Sequence, residues 1–140
     1  MGNYGGNARF SQVPFVLPKQ PGVRAVVWIT VRGLFNDTSS PSSYVAGQLD
    51  VLDGAGQSIL TLFARIECNQ NDIRATFVFA PGVTLGGTFS PSPGAGVGMC
   101  PFPTGFIVDS SHTIQLTGFS AAIAAPETEV EIFWQFKDAV

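Results

Sequence analysis

Charged side chains are scarce in this sequence. Seven basic and ten acidic residues among 140 make a charged share of 12%, where an average globular composition has about 25%. A fold of this mass exposes on the order of 7,000 Å², so much of its surface must be neutral or apolar. Histidine occurs once, as His112, and cysteine twice, as Cys68 and Cys100. No CxxC or Cys/His spacing joins them, which excludes a zinc site of the usual kind. A bridge between the two is open to the sequence, but a chain of this length builds a core without a staple, and two unbridged thiols are expected. No stretch approaches the roughly 20 uninterrupted apolar residues of a membrane span. The start, Met1-Gly2-Asn3-Tyr4-Gly5-Gly6-Asn7, has neither the basic head nor the apolar stretch of a secretory signal, and none is expected. Walker, dinucleotide-binding, Gly-x-Ser-x-Gly and His-Glu-x-x-His patterns are all missing. The expectation is a chain with no catalytic residues, no cofactor and no metal.

What the sequence does hold is strand chemistry. Residues 24–32 alternate, with Ala25, Val27, Ile29 and Val31 on one face and Arg24, Val26, Trp28, Thr30 and Arg32 on the other. Residues 33–43 read as a loop. Tyr44–Leu52 and Ser58–Glu67 flank Asp53-Gly54-Ala55-Gly56-Gln57 and predict a hairpin in which Val45, Leu49 and Val51 oppose Leu60, Leu62 and Ile66. Ile73–Ala80 places Ile73, Ala75, Phe77 and Phe79 on one face. Val83–Phe89 is a weaker strand whose Gly86 and Gly87 mark a bulge or a close backbone approach. Ser90–Gly105, with four prolines and four glycines, reads as a long functional loop. Phe106–Asp109, His112–Phe119 and Thr128–Phe136 supply the last strands, with a helical turn at Ser120–Ala125. An edge strand at Phe10–Leu17, limited by Pro14, completes the set. Eight or nine short strands separated by turn residues predict a single-domain, all-β, antiparallel β-sandwich, jelly-roll-like, over residues 23–140, preceded by an extended arm at 1–22.

Few residues offer chemistry. Asp109-Ser110-Ser111-His112 contains the types of a nucleophile–base–orienter set, but neighbours on a tight turn seldom reach the required geometry, and a plain turn is expected. Glu129 and Glu131, two apart on a strand, sit roughly 6.6–7 Å apart at Cα, near the separation of inverting glycosidases. That spacing is common on strands, and a solvated strand face is the expected reading. Asp50 and Asp53 bear oxygen ligands at a hairpin end, without a calcium-loop pattern.

Charge is unevenly spread. Residues 1–32 hold Arg9, Lys19, Arg24 and Arg32 and no acid, while the remainder holds three basic and all ten acidic residues. A basic arm lying on the acidic body of a neighbouring copy would use this complementarity. Four scattered cations are too few for specific nucleic-acid binding. Among the aromatics, Tyr4, Phe10, Phe102 and Phe106, with Arg9, fall in the arm or the Pro/Gly loop and are candidate subunit-contact residues. Trp28, Tyr44 and Phe133 are candidates for stacking on a carbohydrate or receptor.

The Gly/Asn-rich start, the Phe- and Ser-rich strands, the few charges and the hairpin Val51-Leu52-Asp53-Gly54-Ala55-Gly56 resemble small all-β virion proteins of bacteriophages, of the capsid, cement or decoration, and spike-base types. The resemblance spans the chain in composition and rests on no motif. It implies a non-enzymatic homo-oligomeric subunit, located in the virion and assembled in the host cytoplasm, with itself and other structural proteins of the particle as partners. A carbohydrate- or receptor-binding sandwich module is the alternative.

Overall fold

The computed structural model describes residues 3–36, 43–68, 72–90, 95–119 and 130–139. They form eleven strands: β1 (Asn3–Phe10), β2 (Phe15–Val16), β3 (Arg24–Asn36), β4 (Ser43–Leu52), β5 (Ser58–Cys68), β6 (Asp72–Ala80), β7 (Gly86–Ser90), β8 (Ala95–Pro101), β9 (Ile107–Val108), β10 (Thr113–Phe119) and β11 (Val130–Asp138). The larger sheet has the order β1-β11-β3-β6-β8-β7, with β9 beside the start of β3; the smaller has the order β2-β10-β4-β5. Every pairing is antiparallel except that of β6 with β8. The architecture is therefore an all-β sandwich, and the described residues contain no helix.

Two-residue periodicity explains the layers. Ile73, Ala75, Phe77 and Phe79 of β6 and Val130, Ile132, Trp134 and Phe136 of β11 are all buried, facing Val45, Leu49, Val51, Ala64, Ile66, Ile114 and Leu116 of the smaller sheet. Fully burying such side chains is worth about 1.5–3 kcal/mol each. Phe35, Phe77 and Phe119 form an aromatic knot, with ring centroids 4.7–6.2 Å apart. The predicted hairpin forms in the expected register, with Val45 opposite Ile66, Leu49 opposite Leu62 and Val51 opposite Leu60. Its turn is held by the Asp53 carboxylate, which accepts from the backbone amides of Ala55 and Gln57 at 2.9 Å each.

Five expectations require correction. Residues 3–10 of the expected arm are strand β1, paired along eight residues with β11 of the same chain; Tyr4, Ala8 and Phe10 pack inward, and that apolar alternation draws the segment onto its own sandwich. The strand expected at Phe10–Leu17 shrinks to β2, following a cis Val13–Pro14 bond. The expected loop 90–105 contains β8, which lies between β6 and β7. Its inward positions are Gly96, Gly98 and Cys100, and at the two glycines the neighbouring strands leave no room for more. Finally, β3 continues through Asn36 instead of stopping at 32, because Phe35 keeps the inward phase and is fully buried. A bulge opposite Gln135/Phe136 reverses that phase at its start, so that Val26 is buried where Val27 was expected to be. The helical turn expected at 120–125 and the position of Glu129 lie outside the described residues.

The sandwich is closed along one long side by backbone contact. β5, at the edge of the smaller sheet, lies against β7 and β8, and a Cβ on Gly98 would stand 2.9–3.0 Å from the backbone N, C and O of Arg65. Gly87 meets the same Arg65 carbonyl even more closely. The close approach that Gly86-Gly87 suggested is thus realised at Gly87. Across the opposite side the sheets meet through side chains, with Phe10 of β1 stacked on Phe15 of β2 at 4.8 Å.

Candidate functional site

Each sheet has one face on the core and one turned outward, and the two outward faces differ in character. On the larger sheet, register alignment brings Phe133 of β11 beside Thr30 of β3, and Thr30 beside Val78 of β6. Arg32 lies beside Thr76, and Trp28 and Ala80 join them at the same depression. These seven residues line an open groove of about 620 Å³. Trp28 is 37% exposed, and the Arg32 guanidinium sits 5.1 Å from the Phe133 ring centre. Glu131 receives Arg32 at 3.2 Å and Arg9 at 3.6 Å. Beyond Arg32 the groove continues into a second depression of about 430 Å³ that includes Arg74 and Glu131.

The smaller sheet turns Val16, Ile59, Phe63 and Tyr44 outward, with Phe63 53% exposed. On its strands the described charged side chains of this face are Asp50, Arg65 and Glu67. Arg65 and Glu67 pair at 2.8 Å, and the Arg65 guanidinium also stacks 4.0 Å from the centre of the Tyr44 ring. Asp50 is 6% exposed although it points outward. Thr61 and Gln48 donate to it at 2.6 and 3.0 Å, and Thr117 also donates. Burial alone would raise its pKa, but the hydrogen bonds from Thr117, Thr61, Gln48 and Ser58 outweigh that and hold it below the usual carboxylate range. The face therefore presents neutral surface across its middle.

The candidate contact residues are dispersed. Phe102 is buried at 1% exposure and Phe10 at 9%; both belong to the chain's own core and are not offered to a neighbour, because their alternation points them between the sheets. Phe106 packs edge-on against Phe102 and His112. Tyr4 donates to Asp138 at 3.0 Å, which raises its pKa, and lies 3.8 Å beneath the Arg24 guanidinium. Arg24 in turn pairs with Asp138 at 3.1 Å. Arg9 is the exposed member of the set. Of the candidate stacking residues, Trp28 and Phe133 share the groove, whereas Tyr44 stands on the other sheet. Arg74, Thr76 and Val78 were not singled out by sequence, although their alternation against the inward row of β6 is the signal that places them there.

The remaining polar clusters are structural. Ser111 donates both its backbone amide and its hydroxyl to the Asp109 carboxylate, at 2.8 and 2.6 Å. These bonds hold Asp109 below the ordinary carboxylate range. The His112 Nδ1 accepts from the Asp109 amide at 3.1 Å. The hydroxyl therefore faces the carboxylate and not the imidazole, which is the order of a turn and not of an activated nucleophile. Cys100 is a free, buried thiol whose pKa is pushed up by burial, and no group of metal-ligating side chains occurs among the described residues. Compared with known proteins, the chain matches no family model, and no curated protein or solved structure is significantly similar to it.

Proposed function

We propose that this chain is a non-enzymatic structural subunit of a larger assembly, a bacteriophage particle in keeping with the compositional resemblance, and that the outward face of the smaller sheet is its principal contact. The supporting observation is that face itself. Val16, Ile59, Phe63 and Tyr44 are exposed, while the carboxylate in their midst, Asp50, is sequestered by hydroxyl and amide donors. Isolated exposed apolar residues need no explanation, but an apolar patch bordered by a single exposed ion pair, Arg65–Glu67, marks an interaction surface. Its four strands, of 2, 7, 10 and 11 residues, at ~3.4 Å per residue and ~4.8 Å spacing give the face an area on the order of 500 Å². That is more than half of the ~800 Å² each partner contributes to a standard interface. Two-sheet sandwiches of the jelly-roll kind serve both as shell subunits and as lectin domains, so the face and not the fold argues the case.

Light scattering coupled to size exclusion over a range of protein concentrations tests the reading. The wild type is expected to form a discrete oligomer, and Phe63→Glu, at a half-exposed position that the fold does not need, to shift it to a 14.8 kDa monomer. A wild-type monomer at every concentration, or an oligomer indifferent to a charge at Phe63, would overturn it.

A second reading, a carbohydrate- or receptor-binding module, is favoured by one observation: Trp28 and Phe133, on different strands, line the same groove of the larger sheet. The two readings use opposite faces and are separately testable.

A further inference from the structure

The groove on the larger sheet has a chemistry that narrows its ligand. At one end lies an aromatic and aliphatic floor of Trp28, Phe133 and Val78, flanked by the hydroxyls of Thr30 and Thr76. At the other end stand Arg32 and Arg74. Along β3 the step from Trp28 to Arg32 is four residues, about 13 Å. The described charged side chains on this outward face are Arg9, Arg32, Arg74, Lys137 and Glu131, which gives it a positive balance in a chain whose formal net charge is −3. Arg9 and Arg32 are both tied to Glu131. Arg74 is exposed and has no ion-pair partner among the described residues.

The geometry points to a binding site for an acidic glycan, a chain of sugar rings bearing carboxylates at intervals, with rings on Trp28 and Phe133 and a carboxylate on Arg74. This deepens the ligand-binding reading above and rests on it. Flat aromatic surface is complementary to the apolar face of a sugar ring, as it is to other amphipathic partners. Threonine hydroxyls supply adaptable donors and acceptors, and a guanidinium fork matches a carboxylate bidentately. A neutral sugar has no use for an exposed Arg74 with no ion-pair partner among the described residues at the groove's end. A nucleic acid demands several simultaneous phosphate contacts, whereas two of this face's cations already share the one carboxylate of Glu131. Sparse ligand charge spaced along an apolar floor is the better match.

Calorimetric titration with oligogalacturonate, with its methyl-esterified and hence uncharged counterpart, and with an oligo-dT of similar length tests the assignment. Fluorescence of the exposed Trp28, against that of buried Trp134, provides a parallel readout. The carboxylated oligomer is expected to bind at least tenfold more tightly than the ester, and its binding to weaken as salt is raised. Trp28→Ala and Arg74→Gln, both at exposed positions, are each expected to weaken it tenfold or more with the melting curve unchanged. Equal binding of acid and ester, or indifference to Arg74→Gln, would overturn the acidic class while leaving the ligand-binding reading intact. Failure of all three probes would overturn both. Preference for oligo-dT, or an oligomer that dissociates on Trp28→Ala, would assign the groove to a nucleic acid or to a second copy of the chain, and so overturn the proposal.

Discussion

Asp50 shows how a single residue can make a surface look uncharged. Its carboxylate faces outward yet is hidden, and its stability contribution comes from donors that favour the ionised form. Because its folded pKa lies below the ordinary value near 3.9, its contribution is complete above that value and is lost as pH falls through the lower folded one. Thermal melts between pH 2 and 6 should show wild-type stability falling at the acid end, with a shallower fall for Asp50→Asn. Asp109, also held low, titrates in the same window, so the informative quantity is the difference between the two curves. At neutral pH, Thr117→Val removes one donor to a buried charge and should cost roughly 1.5–3 kcal/mol, read from urea unfolding. The sequence places Asp50 near a hairpin end but does not disclose its seclusion. Thr61 arrives from across the hairpin register, and Thr117 only through a bulge in β10 between Leu116 and Gly118. Asp53, by contrast, lies in the turn the sequence predicts, where a carboxylate binds its own neighbours.

Among the elements, β8 is where composition misleads. Glycine and proline between Ser90 and Gly105 read as a loop because each weakens a strand in isolation, yet the residues at 96, 98 and 100 form an inward row that permits β5 to lie against the sheet. A glycine required by a neighbour's backbone looks the same, in one sequence, as a glycine required by a turn. Gly98→Ala distinguishes the two. The added methyl would meet the Arg65 main chain, which has no rotamer to yield, and a loss of about 1–3 kcal/mol is expected. Gly54→Ala, where the nearest atom is an ordinary 3.8 Å away, serves as the control and should be close to neutral. Both can be compared by chemical denaturation. The hairpin β4–β5 and the inward rows of β6 and β11 were legible because an uninterrupted two-residue period admits a single face assignment. The bulge that inverts β3 at Val27 leaves no such trace in the letters.

For the molecule as a whole, the two sheets divide the surface into a neutral face and a cationic groove. Raised salt should therefore leave the proposed subunit contact undiminished while loosening an anion from the groove. The sequence anticipated the charge poverty and the sandwich. It could not anticipate the division of labour, since Trp28 and Phe133 meet only through the pairing of β3 with β11. One further consequence follows from the contact of β5 with Gly87 and Gly98. The fold is bound like a book, with main chain against main chain at the spine and side chains, the Phe10–Phe15 stack among them, clasping the fore-edge. Amide hydrogen exchange followed by mass spectrometry should find the pages parting from the clasp, with β1 and β2 exchanging well before β8. Equal protection along both margins would contradict that hinge.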